Sequence, residues 1–345
     1  MPERPVPPEL LRQRVGRAPE GSDDLAHFLA IGQDGLRRIE EALPHDWSWS
    51  GKQVLDFGCG AGRTLRHLLD VDDVGLWGCD VDETSIAWID AHLSPPIHAF
   101  VSTEEPRLPQ ADGTFDLIWG LSVFTHLDVH WAGWLLELRR VLKDDGYLYL
   151  TFLNHGMHDL WSHLTEDTPW DDDEIGIVRV NAGLPWDQGG PTVFLSEWWL
   201  REHWGRALEV VALERAYDDD GDAQGWALLR KKPGDVSVGD LERIRPGDER
   251  EVAGLQTQER IARIETLRLR REVEGLYAVL AARDDEIAST VRELESHGRE
   301  LEAHQAENQR AQHALAEQAR ALEEAHRVAA EAHARLAQLT EGADG

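Results

Sequence analysis

The spacing of apolar residues divides this chain into regions of different predicted structure. Residues 1–50 carry apolar side chains at helical spacing, which predicts a helical N-terminal extension. Residues 51–232 alternate short apolar runs with amphipathic stretches, a pattern typical of an α/β domain. Residues 233–247 are predicted to be a linker. Residues 248–340 contain no proline and repeat every seven positions, and residues 341–345 are predicted to be a disordered tail.

Short apolar runs within the second region predict strands separated by helices. The first five predicted strands are 53–57, 75–80, 97–101, 115–120 and 147–152. The predicted helices are 63–69, 83–92 and 130–142. Two later runs, 208–214 and 225–230, flank an acidic turn and predict an antiparallel hairpin. The alternation of strand and helix predicts a doubly wound, mostly parallel α/β sheet with helices on both faces.

Residues 248–340 contain a strong row of mostly apolar residues with a strict seven-residue period. The row is Val273, Leu280, Ile287, Leu294, Leu301, Asn308, Leu315, Leu322, Ala329 and Leu336. A second row, three residues later, is more polar and includes His297 and His304. Such a sustained repeat predicts a long α-helical coiled coil with a partner helix, and Asn308 at position a favours a fixed register. Because half of the seam is polar, a single solvated helix is the alternative.

Charge and composition limit the partners that this chain can have. The formal net charge of −30 repels phosphate backbones, so no nucleic-acid partner is expected. No apolar run approaches the ~20 residues that span a bilayer, so no membrane insertion is expected. The N-terminus lacks the apolar core of a signal peptide, and only two cysteines are present. These features predict a cytoplasmic protein without a disulfide framework.

The first predicted strand runs into a glycine-rich turn, with the sequence DFGCGAG at 56–62. Glycines let the backbone approach a ligand where a Cβ atom would clash. A dinucleotide fingerprint would need glycine at the position of Arg63, and the Gly-Lys-Ser/Thr of a phosphate loop is absent. Asp56 would repel a pyrophosphate but suits a ligand that carries an ammonium group. S-adenosylmethionine carries an amino group and a sulfonium and has no phosphate.

The segment VLDFGCGAGR at 54–63 resembles motif I of the class I S-adenosylmethionine-dependent methyltransferases, close to types 11 and 12. Further matching pieces follow in order, including GCDVD at 78–82 and FDLIWGLSVFTHL at 115–127. The resemblance covers residues 51 to about 232 and implies a Rossmann-like, seven-stranded sheet with S-adenosylmethionine as the cofactor. It implies that the helices of residues 1–50, with Phe28, Gly32 and Arg37, form a lid over the cofactor.

The resemblance also implies which residues hold the cofactor. The glycine turn contributes Asp56, Gly58, Cys59 and Gly60. Further implied contacts come from later strand ends: Asp80 to the ribose hydroxyls, Val81 to the adenine ring, Glu104 to the adenine amino group, and the backbone near Leu121 to the methionine part. Glu105 competes with Glu104, because the family pattern has Asp where this chain has Glu.

Catalysis needs little from the protein beyond alignment, because methyl transfer from a sulfonium is an in-line displacement. His126, on the loop after the fourth strand, is the candidate general base for a hydroxyl acceptor, and ordering of that loop is its alternative role. His155 and His158 are weaker candidates. They also lack a convincing third partner for a metal, so none is expected. The tryptophans after the fifth strand suit a sugar platform or a cation cage, or else the core: Trp161, Trp170, Trp186, Trp198, Trp199 and Trp204.

These observations predict an S-adenosylmethionine-dependent methyltransferase that acts on a small-molecule or glycan acceptor, with O-methylation favoured. The coiled coil would make a homodimer or dock on a partner helix. The rival hypothesis is a scaffold or length-setting protein that carries a cofactor-binding but weakly active domain. A dehydrogenase is disfavoured by Arg63 together with Asp56.

Overall fold

The computed structural model describes residues 4–14, 18–19, 21–154, 176–216 and 224–341. Predictions for His155, His158, Trp161, Trp170 and residues 342–345 lie outside these ranges. The chain divides into two compact units, residues 1–267 and residues 268–345. Among the described helices, none combines the length and apolarity needed to cross a membrane.

Residues 1–267 contain a seven-stranded sheet of the predicted kind. Its strands are β1 (Lys52–Phe57), β2 (Val74–Asp80), β3 (Ile97–Val101), β4 (Phe115–Gly120), β5 (Leu142–Phe152), β8 (Leu208–Glu214) and β9 (Gly225–Lys231). They lie in the order β3-β2-β1-β4-β5-β9-β8. The first five strands are parallel, and β9 and β8 complete the sheet in antiparallel pairing. A separate antiparallel hairpin consists of β6 (Ile177–Val180) and β7 (Thr192–Leu195).

The α-helices of the described residues lie before, between and after these strands. They are α1 (Glu9–Arg14), α2 (Asp24–Ala42), α3 (Glu83–His92), α4 (Trp131–Val141), α5 (Glu197–His203), α6 (Val238–Glu242) and α7 (Glu249–Glu341). Asp82 caps α3 by accepting a hydrogen bond from Thr84 N–H at 3.1 Å, as its sequence position predicted. The predicted helix 63–69 is instead a short 3₁₀ turn, Leu65–Leu68, because the preceding glycine turn continues through Gly62.

The sheet separates two apolar cores, as a doubly wound fold requires. Alternate residues of β1 point to opposite faces. Leu55 and Phe57 pack with the side chains of α4 and α5, whereas Val54 packs with α2 and α3. Val54 and Leu55 are fully buried, and each buried side chain of this size contributes about 1.5–3 kcal/mol through its removal from water.

The segment predicted as a linker, residues 233–247, contains ordered structure that packs on the domain. Ser237 caps α6, and Leu241 of α6 is completely buried. The first turns of α7 also belong to the domain: Ile261 is 1% exposed and packs with Val180 and Phe194 of the β6–β7 hairpin. The linker prediction was therefore wrong in this part. Its apolar residues are too few and too widely spaced to show a helical pattern.

The second unit continues α7 as a single helix, the conformation that a seven-residue repeat requires. Every side chain from residue 268 to residue 324 is exposed. The apolar row at position a is thus presented to solvent along its described length.

Candidate active site

The glycine turn after β1 has the backbone conformation that its composition predicted. Gly58, Gly60 and Gly62 have φ values of 81°, 51° and 73°, in the left-handed region that disfavours other residues. A Cβ atom at Gly58 would lie 2.3 Å from Cγ2 of Val123, which follows β4. Any side chain at this position would therefore separate the turn from the loop that follows β4.

Asp80 lies at the end of β2, where it faces the glycine turn. Its Oδ2 accepts a hydrogen bond from Gly60 N–H at 2.7 Å, and its Oδ1 accepts one from Asp82 N–H at 2.9 Å. A carboxylate has about four acceptor positions, so each oxygen keeps one for a further donor. This arrangement fits the two vicinal hydroxyls of a ribose. Burial raises the pKa of Asp80, and backbone hydrogen bonds, chiefly those from Asp82 and Gly60, oppose that rise. Val81, the predicted adenine contact, is half-buried beside it.

Asp56 occupies the interior of the domain below the turn. It is 3% exposed, and burial raises its pKa to about 7 against the opposing charge of Arg63. Arg63 thus provides the counter-charge inside the protein, and the attraction of Asp56 for a ligand ammonium stays a prediction. Cys59 of the turn and Cys79 of β2 are buried as well, and burial raises the pKa of both thiols.

The segment after β3 lies next to Asp80. Ser102 N–H donates to the carbonyl oxygen of Asp80 at 2.9 Å, and Trp134 Nε1–H donates to the carbonyl oxygen of Glu104 at 3.2 Å. The side chains of Glu104 and Glu105 are both exposed. The structure places both candidates in the segment that follows β3, next to Asp80, and their contact with the adenine amino group stays a prediction.

Helix α2 packs against the glycine turn and the loop that follows β4. A Cβ atom at Gly32 would lie 2.1 Å from the carbonyl oxygen of Arg63, and one at Gly35 would lie 2.9 Å from Leu121 Cδ1. Leu121 is half-buried. The two glycines therefore allow α2 to contact both the glycine turn and the loop after β4, and a role of α2 as a lid stays a prediction.

His126 is held by the β6–β7 hairpin. Its Nδ1 lies 2.8 Å from the carbonyl oxygen of Pro191, and Val193 N–H donates to the Thr125 carbonyl at 2.8 Å. Because a carbonyl can only accept, Nδ1 must carry the proton. In the neutral ring Nε2 then keeps its lone pair. The imidazole is exposed, as a base that meets an incoming acceptor must be.

A polar network at the ends of β4 and β5 was not predicted. Ser122, at φ 59°, donates its N–H to Thr151 Oγ1 at 2.7 Å, and Thr151 Oγ1 donates to Gln224 Oε1 at 2.7 Å. Gln224 Nε2 returns a hydrogen bond to Ser122 Oγ at 2.9 Å. These residues are far apart in sequence, and the one available signal was a threonine inside the apolar run of β5. The network fixes the start of the loop that carries His126.

Residues 54–146 match the family described as "Methyltransferase domain". The chain is 32% identical over 130 residues to "Probable methyltransferase PMT28" of Arabidopsis thaliana, which covers 36% of this chain and 17% of that protein. It is 26% identical over 106 residues to "27-O-demethylrifamycin SV methyltransferase" of Amycolatopsis mediterranei, covering 29% and 38%. Among solved structures, the PH0226 protein from Pyrococcus horikoshii aligns with TM-score 0.42 and 18% identity, covering 61% of this chain and 93% of that one.

The chain thus spans less than half the length of these two curated relatives. The matched residues are those that form β1 to β4, the glycine turn and the Asp80 site. Together with the seven-stranded sheet, this match supports a class I S-adenosylmethionine-dependent methyltransferase domain in this part of the chain.

Proposed function

We propose that this protein transfers a methyl group from S-adenosylmethionine to a hydroxyl of a small-molecule or glycan acceptor in the cytoplasm. The observation that carries the proposal is the placement of Asp80, with one free acceptor position on each oxygen, against the glycine turn. Asp80 and the backbone of the turn would hold the ribose. The cofactor, when bound, supplies an electrophilic methyl group.

His126 is the residue that would take the acceptor proton. The Nδ1–H bond to Pro191 fixes the ring orientation and leaves Nε2 available as a base. The same carbonyl would stabilise the imidazolium once Nε2 has been protonated. An oxygen acceptor needs such a base when its hydroxyl is not ionised, which favours O-methylation. The relative named for 27-O-demethylrifamycin SV is consistent with an oxygen acceptor.

The β6–β7 hairpin supplies the remaining wall for an acceptor. A Cβ atom at Gly190 would lie 3.6 Å from His126 Nδ1 and 3.8 Å from Trp186 Cα, so the hairpin brings these two residues together. Trp186 is 43% exposed, whereas Trp199 and Trp204 are buried in the core. An exposed indole on the same connection between β6 and β7 that contacts His126 suits stacking against a sugar or another planar acceptor.

The cofactor assignment is tested by calorimetric titration of the full chain with S-adenosylhomocysteine. We expect Asp80→Ala to weaken binding by about 100-fold or more, because two hydrogen bonds to a charged group are lost at ~1.5–3 kcal/mol each. Glu83→Ala is the control, since it removes an exposed carboxylate three residues away. Absence of binding by the folded wild-type chain, or unchanged affinity in Asp80→Ala, would overturn the assignment.

The catalytic assignment is tested with His126→Asn. Asparagine can keep the donor to the Pro191 carbonyl but has no counterpart of Nε2. With labelled S-adenosylmethionine and a panel of sugar and phenol acceptors, we expect kcat to fall about 100-fold or more. The affinity for S-adenosylhomocysteine should stay unchanged. His130→Asn changes another exposed histidine of the same loop and should be neutral. Wild-type turnover in His126→Asn would exclude a base at this position.

The exposed row on α7 supports an assembly role for the second unit, either as a homodimer or with a partner helix. It also keeps the scaffold hypothesis as the second candidate function. A chain that binds S-adenosylhomocysteine but turns over no acceptor in the panel would favour the scaffold.

A further inference from the structure

Between Val273 and Leu322, the exposed apolar side chains of α7 are confined to one side of the helix. With Val273 as position a of the heptad, they all fall on positions a, d, e and g between Val273 and Leu322. The exposed set is Val273, Leu276, Tyr277, Val279, Leu280, Ile287, Val291, Leu294, Leu301, Leu315 and Leu322. No large apolar residue lies at b, c or f in this described range. Such a stripe, 47–68% exposed on every member, is the surface of a helix that packs on another helix.

The two rows of the seam differ in polarity, and that difference selects an orientation. Parallel helices in register stack a on a and d on d, whereas antiparallel helices stack a on d. The a row is apolar at seven of its eight positions from 273 to 322. The d row from 283 to 304 is polar: Arg283, Thr290, His297 and His304. Only the parallel arrangement of two copies places the apolar a residues against one another.

The charges beside the seam favour the same orientation. Position g carries four glutamates in succession: Glu286, Glu293, Glu300 and Glu307. In an antiparallel pair, g faces g, and carboxylates would oppose carboxylates. In a parallel pair, g faces the partner's e position, where this chain has Val291, Gly298 and Gln305. The parallel pair also brings Arg283 at d beside the partner's Asp284 at e, which is an attractive contact.

Asn308 sets the register of such a pair. It is the single polar residue in the a row between 273 and 322. In register, each asparagine can pair with the partner's Asn308, whereas a shift of one heptad would bury its amide against leucine. Burying a polar group without a hydrogen-bond partner is unfavourable, so shifted registers are disfavoured.

We propose that residues 273–322 form a parallel, in-register, two-stranded coiled coil with a second copy of this chain. The proposal rests on the dimer role stated above and adds its orientation, register and partner. In such a parallel pair, both chains enter the coiled coil at the same end.

Disulfide cross-linking of full-chain variants that each carry one added cysteine, besides the buried Cys59 and Cys79, tests the orientation. Leu280→Cys and Leu315→Cys lie five heptads apart on row a, and each should form a covalent dimer under mild oxidation. Ala306→Cys, at outward position f, is the control and should not. In an antiparallel pair, each added cysteine would lie opposite a different position of the partner. Efficient cross-linking would then require a mixture of two different variants. Sedimentation equilibrium of the wild-type chain should give twice the monomer mass.

The outcomes separate this proposal from the proposed function. Cross-linking in both a-position variants, without cross-linking in Ala306→Cys, supports the parallel dimer. A monomeric wild-type chain at micromolar concentration, or equal cross-linking of the f-position control, overturns it. S-adenosylhomocysteine titration of the same samples reports on the methyltransferase domain independently, so a failure of one hypothesis leaves the other measurable.

Discussion

Helix α7 serves two different purposes on either side of residue 267. Before that residue it is part of the domain, with Glu251 at 4% and Ile261 at 1% exposure. After it, Leu280 and Leu294 are 59% and 66% exposed. The backbone is helical throughout, so the difference lies in which side chains find partners within the same chain.

The two regions also use different stripes of the helix. The heptad that places Val273 at a places Val252 at a and Leu255 at d, and both are exposed even within the domain-packed turns. The residues that pack on the domain, such as Glu251 and Ile261, occupy positions g and c instead. One helix therefore carries one stripe that packs on its own domain and another that is exposed, and the heptad pattern reveals only the exposed stripe.

The largest expected effect comes from where the chain is truncated. A chain of residues 1–267 should keep the domain's unfolding transition, because the packed turns of α7 remain. A chain of residues 1–247 should lose several kcal/mol of unfolding free energy, since it exposes the side chains around Val180 and Phe194. The buried Ile261 alone should account for about 2–4 kcal/mol. Urea denaturation followed by circular dichroism measures both.

Point variants supply the matched control for the truncations. Ile261→Ala should lower the unfolding free energy of the domain, whereas Leu301→Ala should leave it unchanged and weaken self-association. Equal stability of the two truncated chains would contradict the assignment of residues 249–267 to the domain.

A smaller effect is expected from His203, which lies next to Glu251 of α7. His203 is 1% exposed, its Nδ1–H donates to the Leu241 carbonyl at 2.7 Å, and its Nε2 lies 3.2 Å from Glu251 Oε1. Burial lowers the pKa of His203, with the nearby charges of Arg206 and Glu251 acting in opposite directions. A lowered folded-state pKa means that the unfolded chain binds the proton more readily. This histidine's stabilising contribution is full above its unfolded pKa of 6.5 and is lost as the pH falls.

The variant His203→Asn keeps a donor for the Leu241 carbonyl and removes the titrating ring. The wild-type chain should therefore lose about 1 kcal/mol more than the variant between pH 7.5 and pH 5. Parallel denaturation curves at these two pH values check the difference. A pH dependence that is identical in both chains would show that another group controls it.

The sequence predicted best those elements for which an apolar run and a boundary signal agree. Strands β3 and β4 and helix α3 begin and end where expected, because clear apolar runs meet glycine, proline or the Asp82 cap. The β6–β7 hairpin was missed, since four-residue apolar runs do not distinguish a strand from a buried turn of helix. It is held to the sheet by distant contacts, such as Val193 to Thr125, that no local pattern encodes.

The residues of the candidate site likewise differ in how far the sequence predicted them. Asp80 and the glycine turn were predictable, because a local motif fixes both the residue types and their backbone shape. The orientation of His126 was not, since it depends on the carbonyl of Pro191, 65 residues further along the chain. The Ser122–Thr151–Gln224 network likewise exists only after the strands have been brought together.

The two native cysteines have a practical consequence for chemical labelling of this protein. Cys59 in the glycine turn and Cys79 in β2 are 3% and 0% exposed, and burial raises the pKa of both thiols. The thiolate is the reactive species, so neither side chain should react readily with maleimides or disulfide reagents while the domain is folded. A cysteine placed anywhere on the exposed helix is therefore a site-specific attachment point for fluorophores or spin labels in the otherwise unaltered chain.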